Sequence, residues 1–281
     1  MQTAIALGTF DGLHAGHRAV LSATLSYHSV AVSFAIPPKA VMTGNPQLLM
    51  TPTDKVSALK SFGMNEVKLL DFNEIRELSP QQFLDMLCAE FSPSLIACGY
   101  NYRFGKNASG DTEFLRRYCE EHSIKFHCAK CVCEGDTPIN STLLRSMIHN
   151  GNIELANAQI YGGFGFTSSV LHGDARGRTL GFPTVNQAYP DLLVPVKFGV
   201  YAVNVIIDDN CYTGIANIGI RPTWQTENIM SETYIKDFSG DLYGKNITIK
   251  PKRFLRPEKR FNSVNELIDA IKNDILSLNN L

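Results

Sequence analysis

The chain has 281 residues, 44% hydrophobic and 19% charged, and that length suits two domains of ordinary size better than one core. Its 26 basic and 27 acidic side chains leave a net charge of −1, so no global field draws nucleic acid. No apolar run approaches the ~20 residues of a membrane span, which leaves small molecules as the expected partners, with no nucleic acid and no membrane.

The first predicted strand, Ala4-Ile5-Ala6-Leu7, has no basic region followed by an apolar signal segment before it, so the cytoplasm is the expected compartment. The strand breaks into Gly8-Thr9-Phe10-Asp11-Gly12-Leu13-His14-Ala15-Gly16-His17 and resumes as an apolar-periodic helix through Val20, Leu21 and Leu25. A buried strand that turns through glycines into a helix aims backbone N–H groups outward, where a phosphate binds well. His14 and His17, three apart at the edges of the turn, can donate to phosphate oxygens as charge develops. Gly16 lacks a Cβ and leaves room for a nucleotide. Two ordinary helix-start histidines are the plainer reading, but strand, glycines and histidines all fall in the order a nucleotidyltransferase turn requires.

Strands and helices then alternate. Val30 to Phe34 is a second strand. Thr51-Pro52-Thr53-Asp54 opens a helix with a cap, a first-turn proline and an acidic residue, and Val56 and Leu59 are expected to face inward. Val67 to Leu70 is the next strand, Ser79-Pro80-Gln81-Gln82 caps a helix with the face Phe83, Leu84, Leu87, Cys88 and Phe91, and Leu95 to Cys98 is a short buried strand. A helix through Phe114, Leu115 and Tyr118 precedes a strand expected over Ile124 to Val132. Alternation along it separates Cys128 from Cys131 and Cys133. With no second pair to complete a tetrahedral set, the seven cysteines read as ordinary residues of a reducing compartment. The pattern argues for a doubly wound parallel sheet with ligands at the carboxyl ends of its strands. The histidine turn sits at one such end and Gly99-Tyr100-Asn101-Tyr102-Arg103-Phe104-Gly105 at another.

After Asn150-Gly151 the pattern changes. Tyr161 to Gly165 is a glycine-rich joint, followed by β-type runs at Thr167 to Leu171, Gly199 to Ile207, Cys211 to Ala216, Glu232 to Ile235 and Asn246 to Lys250. Strands without intervening helices suggest a small antiparallel barrel. A last helix is capped by Ser263 with Glu266 three residues on, its inward face Leu267, Ile268, Ile271 and Ile275.

Five motifs now stand in order. They are the histidine turn, Gly99 to Gly105, Ile139-Asn140-Ser141-Thr142-Leu143-Leu144-Arg145, the run from His172 through Gly173-Asp174-Ala175-Arg176-Gly177-Arg178 to Pro183-Thr184-Val185-Asn186, and Ala216 to Thr223 with Asp241 to Gly244. Over essentially its whole length the chain resembles the prokaryotic bifunctional riboflavin kinase/FMN adenylyltransferases, or FAD synthetases. It departs from that family at Ala35-Ile36-Pro37-Pro38, where a His in a Pro-His-Pro context is usual, at Asn140, usually Ser, and at Val185, usually Ala. The resemblance implies an α/β chain: a Rossmann-like nucleotidyltransferase domain with a parallel sheet over residues 1–157, then a small antiparallel β-barrel of the riboflavin kinase type with a terminal helix over residues 158–281.

The resemblance also implies two ATP-dependent reactions, riboflavin to FMN and FMN to FAD, with Mg²⁺ as cofactor. For adenylyl transfer it assigns His14 and His17 to catalysis, Gly8, Phe10, Asp11, Gly16, Ser141, Thr142 and Arg145 to the nucleotide, and Asn101 and Arg103 to the flavin; Arg221, in the second domain's Ala216 to Thr223 motif, is also assigned to the flavin. For the kinase it assigns Gly173, Arg176, Gly177, Arg178, Thr184 and Asn186 to ATP, with Thr184 and Asn186 as hard oxygen ligands for Mg²⁺. Glu232 falls at the general base that takes the proton of the ribityl 5′-hydroxyl. The alternatives are a riboflavin kinase with a weakened adenylyltransferase, a nucleotidyltransferase for another phosphorylated substrate, a class I tRNA-synthetase relative, and a non-catalytic flavin-binding regulator. The second leaves the latter half unexplained, the third lacks a basic surface, and the last has no use for Thr184, Asn186 and Glu232 together.

Overall fold

The computed structural model describes residues 2–173, 177, 180–222 and 227–280. Contacts divide the chain into two compact units, Met1–Leu144 with Gln159–Tyr161, and Arg145–Ala158 with Gly162–Leu281. Among the described residues no helix is long and apolar enough to cross a membrane.

The first unit contains β1 (Thr3–Leu7), α1 (Ala15–Ser22), β2 (His28–Phe34), α2 (Pro38–Thr43), α3 (Pro52–Phe62), β3 (Glu66–Leu70), α4 (Phe72–Ile75), α5 (Pro80–Phe91), β4 (Leu95–Gly99), α6 (Thr112–Glu121) and β5 (Lys125–Ala129). A hairpin of β6 (Cys133–Glu134) and β7 (Thr137–Pro138) leads into α7 (Ser141–His149), which crosses the division, and α8 (Ile153–Gln159) follows. The five long strands form a parallel sheet in the order β3-β2-β1-β4-β5. The chain steps outward from β1 through β2 and β3, then crosses to the other side of β1 to lay down β4. Ligands of doubly wound sheets bind at this reversal, outside the carboxyl ends of the strands. β1 and β4 end together, Leu7 opposite Cys98, which brings the histidine turn and the Gly99 to Gly105 loop side by side.

Local chemistry explains the elements. Ala4 to Leu7 are buried throughout, as a central parallel strand requires. Thr51 accepts from the Asp54 amide to cap α3, and Ser79 with Gln82 forms a reciprocal capping box on α5. Phe83, Leu84 and Leu87 of α5 pack with Ile5, Val30 and Ile96 of the sheet. Two sequence expectations change. On α3 the fully buried pair is Lys55 and Leu59, with Val56 only half-buried, because the Lys55 Nζ finds an internal acceptor in the Phe34 carbonyl at 2.7 Å. The last strand stops at Ala129 instead of reaching Val132. Residues 133–138 form their own hairpin around Gly135, and Ile139 donates to the Val132 carbonyl.

The second unit is built on β8 (Phe166–Leu171), β9 (Thr184–Ala188), β10 (Gly199–Ile207), β11 (Asn210–Pro222), β12 (Glu227–Ile235) and β13 (Asn246–Arg256). They close an antiparallel barrel in the order β10-β11-β12-β9-β8-β13. α9 (Val264–Leu276), capped by Ser263 as expected, places Ile275 against Val200, Ala202 and Ile215. β9 had no place among the expected strands. It is short and polar, and it is held because Gln187, buried inside, donates to the Ser168 and Ile247 carbonyls.

Candidate active sites

In the first unit a cavity of about 750 Å³ opens at the sheet reversal. Gly8, Phe10, His14, Gly16 and His17 line one side, Asn101 and Arg103 another, and Asn140 and Ser141 a third. The turn is conformationally strained: Phe10 (φ 44°) and Leu13 (φ 39°) occupy the left-handed region, which non-glycine residues hold only where the surroundings compel it. The His14 and His17 rings stack with centroids 3.7 Å apart, and Phe10 meets His17 edge-on at 5.5 Å. A Cβ on Gly16 would approach the His14 ring at 3.2 Å, so this glycine makes room first of all for the imidazole.

Burial, reinforced by the charge of Arg18, lowers the His14 pKa to about 4. The ring is therefore neutral at pH 7, with one ring nitrogen able to donate and the other to accept. Its Nδ1 is buried and has no hydrogen-bond partner among the described residues.

Asp11 is not on the cavity wall. Its buried carboxylate accepts from the Leu49 and Met50 amides at 2.8 and 3.2 Å, and its carbonyl accepts from the Ser141 hydroxyl at 2.9 Å. Behind it Lys55 is fully buried. Burial lowers the amine to about 8, and the negative charge of Asp11 opposes that shift. Asp11 thus braces the turn from behind and ties it to the start of α7.

Asn140 caps that helix, accepting from the Leu143 amide at 3.0 Å. Asn caps as well as Ser does, so this departure from the family pattern preserves the helix start. Thr142 follows Ser141 on α7, and Arg145 lies one turn on, past the division between the units and off the cavity lining. Pro37 is buried, and it is Pro38 that lines the cavity. Arg103 is exposed and paired with Asp111 at 3.5 Å.

In the second unit a cavity of about 450 Å³ is walled by Thr184, Asn186, Ile215, Asn217, Glu232 and Tyr234. Sheet register puts them together. Glu232 on β12 lies opposite Asn186 on β9 and Asn217 on β11, and Tyr234 lies opposite Thr184 and Ile215. Paired residues, and those two further along, share one face of a sheet.

Gly173 and Gly177 of the glycine-rich run meet this wall. A Cβ on Gly173 would collide with the Asn186 amide, and one on Gly177 would collide with the Phe182 carbonyl and approach the Thr184 hydroxyl at 3.2 Å. Asn186 Oδ1 is buried with no hydrogen-bond partner among the described residues. Arg176 and Arg178 lie outside the described residues, as does the side chain of Arg221.

Of the rest of this cavity's wall, sequence reading found Leu267 and Ile271 on the inward face of the last helix and missed Arg256, Glu258, Phe261 and Asp274. Arg256 grips Asp274 of α9 through Nε at 3.1 and 3.2 Å and Nη2 at 2.8 Å, and Glu258 accepts from Asn217 at 3.1 Å. Phe261, Leu267 and Ile271 supply apolar surface.

A family model described as FAD synthetase matches residues 1–143, and one described as riboflavin kinase matches residues 163–281. The bifunctional riboflavin kinase/FMN adenylyltransferase of Bacillus subtilis is 31% identical, over 97% of this chain and 90% of its own length. The Escherichia coli K12 protein of the same name is 33% identical over the same shares. Among solved structures, a macrolide-efflux protein from Streptococcus pneumoniae superposes with a TM-score of 0.87 at 28% identity, covering 100% of this chain and 94% of that one.

Proposed function

The chain belongs to the bifunctional riboflavin kinase/FMN adenylyltransferase family, and from that premise we propose how its own residues divide the work. The enzyme phosphorylates riboflavin with ATP, giving FMN and ADP, and transfers AMP from ATP to FMN, giving FAD and pyrophosphate. We assign the kinase reaction to the barrel cavity and adenylyl transfer to the cavity at the sheet reversal. The functional division follows residues 1–157 and 158–281. The observation that carries the assignment is that each unit holds its own cavity, one walled by the stacked histidines and the other by Glu232 between two asparagines.

In the kinase, Glu232 accepts the proton of the ribityl 5′-hydroxyl as the oxygen attacks the γ-phosphate. The loop carrying Gly173, Arg176, Gly177 and Arg178 holds the ATP phosphates. The residues present fit Mg²⁺: the buried Asn186 Oδ1, without a hydrogen-bond partner among the described residues, and the nearby Thr184 hydroxyl are hard oxygen donors. When bound, the ion neutralises phosphate charge. Arg256 and Asp274 hold α9 over the apolar end, where Phe261, Leu267 and Ile271 suit a flavin ring.

In the adenylyltransferase no protein nucleophile is needed, because the FMN phosphate is already anionic. Neutral His14 and its stacked partner His17 donate to the triphosphate as charge grows at the α-phosphorus. Ser141 and Thr142 present the start of α7 to the phosphates, and Arg145 adds charge from the same helix. Asn101 and Arg103 face the flavin, and Gly8, Phe10 and Gly16 shape the nucleotide side, whereas Arg221 belongs to the barrel unit and would contact the flavin there. Asp11 acts through the turn it braces. Small molecules are the partners, a reading supported by the balanced charge of the chain, and the cytoplasm is the compartment, a reading supported by seven free cysteines suited to a reducing environment. The test is incubation of the full chain with riboflavin, ATP and Mg²⁺, resolving FMN from FAD. Appearance of FMN and then FAD supports the reading, and FMN without FAD contradicts the role given to the first cavity.

A further inference from the structure

Where β5 ends, the chain runs Lys130-Cys131-Val132-Cys133 into the small hairpin. Cys131 and Cys133 are both exposed, and their Sγ atoms lie 3.7 Å apart. Both are thiols, and no third metal-ligating side chain joins them among the described residues. We propose that Cys131 and Cys133 form a reversible dithiol modification site, taking a low-molecular-weight disulfide as oxidant, and that its oxidation slows adenylyl transfer.

The chemistry needs nothing beyond that disulfide. The Cys131 thiolate attacks one sulfur of the small disulfide, forming a mixed disulfide and expelling the first small thiolate. The Cys133 thiolate then attacks the Cys131 sulfur and expels the second. Two protein thiols lose two electrons and two protons, and the small disulfide takes them up as two thiols. Contact with Cys131 pushes the Cys133 thiol up, which fits Cys131 as first attacker and Cys133 as resolving thiol.

The position couples this site to the first cavity by two routes. Cys131 is itself on the cavity lining, beside Tyr100 of the Gly99 to Gly105 loop, and contact with Cys131 pushes the Tyr100 phenol up. Between the cysteines, the Val132 carbonyl accepts from the Ile139 amide at 3.1 Å, two residues before Ser141. A disulfide bond is about 2 Å long, so closing the pair draws the sulfurs together and bends the backbone at Val132. That moves the peptide on which the start of α7 is registered. The effect on activity rests on assigning adenylyl transfer to this cavity, whereas the thiol chemistry does not.

The experiment treats the full chain with glutathione disulfide, counts thiols, maps the bond by mass spectrometry, and measures FMN and FAD formation before and after dithiothreitol. The expected result is a Cys131–Cys133 disulfide, FAD formation from FMN reduced several-fold and restored by the reductant, and riboflavin phosphorylation unchanged. Cys133→Ser, which lies off the cavity lining, should keep its basal activities and form only a mixed disulfide at Cys131. No intramolecular bond in the parent chain overturns the proposal. So does an unchanged rate in a chain proven oxidised, provided His17→Ala abolishes FAD formation. If His17→Ala leaves FAD formation intact, the assignment of the cavity fails and the coupling falls with it.

Discussion

Glu232 and Asn186 stand directly opposite each other on adjacent antiparallel strands of the barrel, on the wall of one cavity. This pairing places a proton acceptor beside a buried amide oxygen that has no hydrogen-bond partner among the described residues. A base next to a hard oxygen donor is what transfer of a phosphoryl group to a hydroxyl requires.

Glu232→Gln keeps the shape and removes the proton acceptor. Riboflavin phosphorylation should fall by ~10²-fold or more, the scale of general-base loss, with little change in KM for either substrate. FMN supplied directly should still become FAD. Steady-state kinetics of each reaction checks this, and undiminished kinase turnover would move the role of base to Asp237 or Asp241.

His17→Ala removes one member of the stacked pair. FAD formation should fall by ~10²-fold or more, as when a transition-state donor is lost, and kinase rates should stay near normal. Equal loss of both activities would show that His17 serves the fold.

His14 titrates from an ordinary value of 6.5 to about 4 because it is buried. Between those values the unfolded chain binds the proton and the folded chain does not, so stability of the first unit falls as pH drops through that window. The loss from this group is at most about 3 kcal/mol. Urea unfolding of the parent chain and His14→Gln across pH 4 to 7 checks it. The difference between the two should shrink on acidification, and a constant difference contradicts the burial argument.

Lys55→Met removes a buried amine that the charge of Asp11 favours and takes away its hydrogen bond to the Phe34 carbonyl. Loss of a hydrogen bond from a buried charged donor costs about 1–3 kcal/mol. Thermal melts should show the loss in the first unit, and FAD formation should drop while kinase turnover holds. A neutral substitution would mean that Asp11 is braced by the Leu49 and Met50 amides alone.

These cases also show what was legible in the residues. The histidine turn could be read because strand, glycines and histidines lie within one short segment, and the caps at Thr51, Ser79 and Ser263 are likewise local. Lys55 could not, since a lysine on an amphipathic helix reads as solvent-facing until its partners, far away in sequence, are known. β9 escaped because Thr184-Val185-Asn186-Gln187 is too polar to read as a buried strand, and its polarity belongs to the cavity and to the Gln187 hydrogen bonds. The adjacency of Asn186, Glu232 and Asn217 depends on closure of the barrel, which no local pattern reports.

A fragment beginning at Arg145 should phosphorylate riboflavin without making FAD, because it contains the whole second unit. One beginning at Ala158 loses Asn157, whose side chain donates to the Pro251 carbonyl at 2.8 Å and accepts from the Phe164 amide at 2.7 Å. The shorter fragment should melt at a lower temperature. Calorimetry and a riboflavin kinase assay on both test this, and a folded longer fragment without kinase activity would show that the two units share a site.

The central claim is that two chemistries occupy two cavities of one chain. It is tested most directly by giving Glu232→Gln and His17→Ala, separately, riboflavin with ATP and Mg²⁺, and resolving the flavins over time. The account predicts that His17→Ala accumulates FMN and stops there, that Glu232→Gln leaves riboflavin unphosphorylated, and that an equimolar mixture of the two variants restores FAD. A mixture that fails to make FAD, or a single variant that loses both steps, would contradict it.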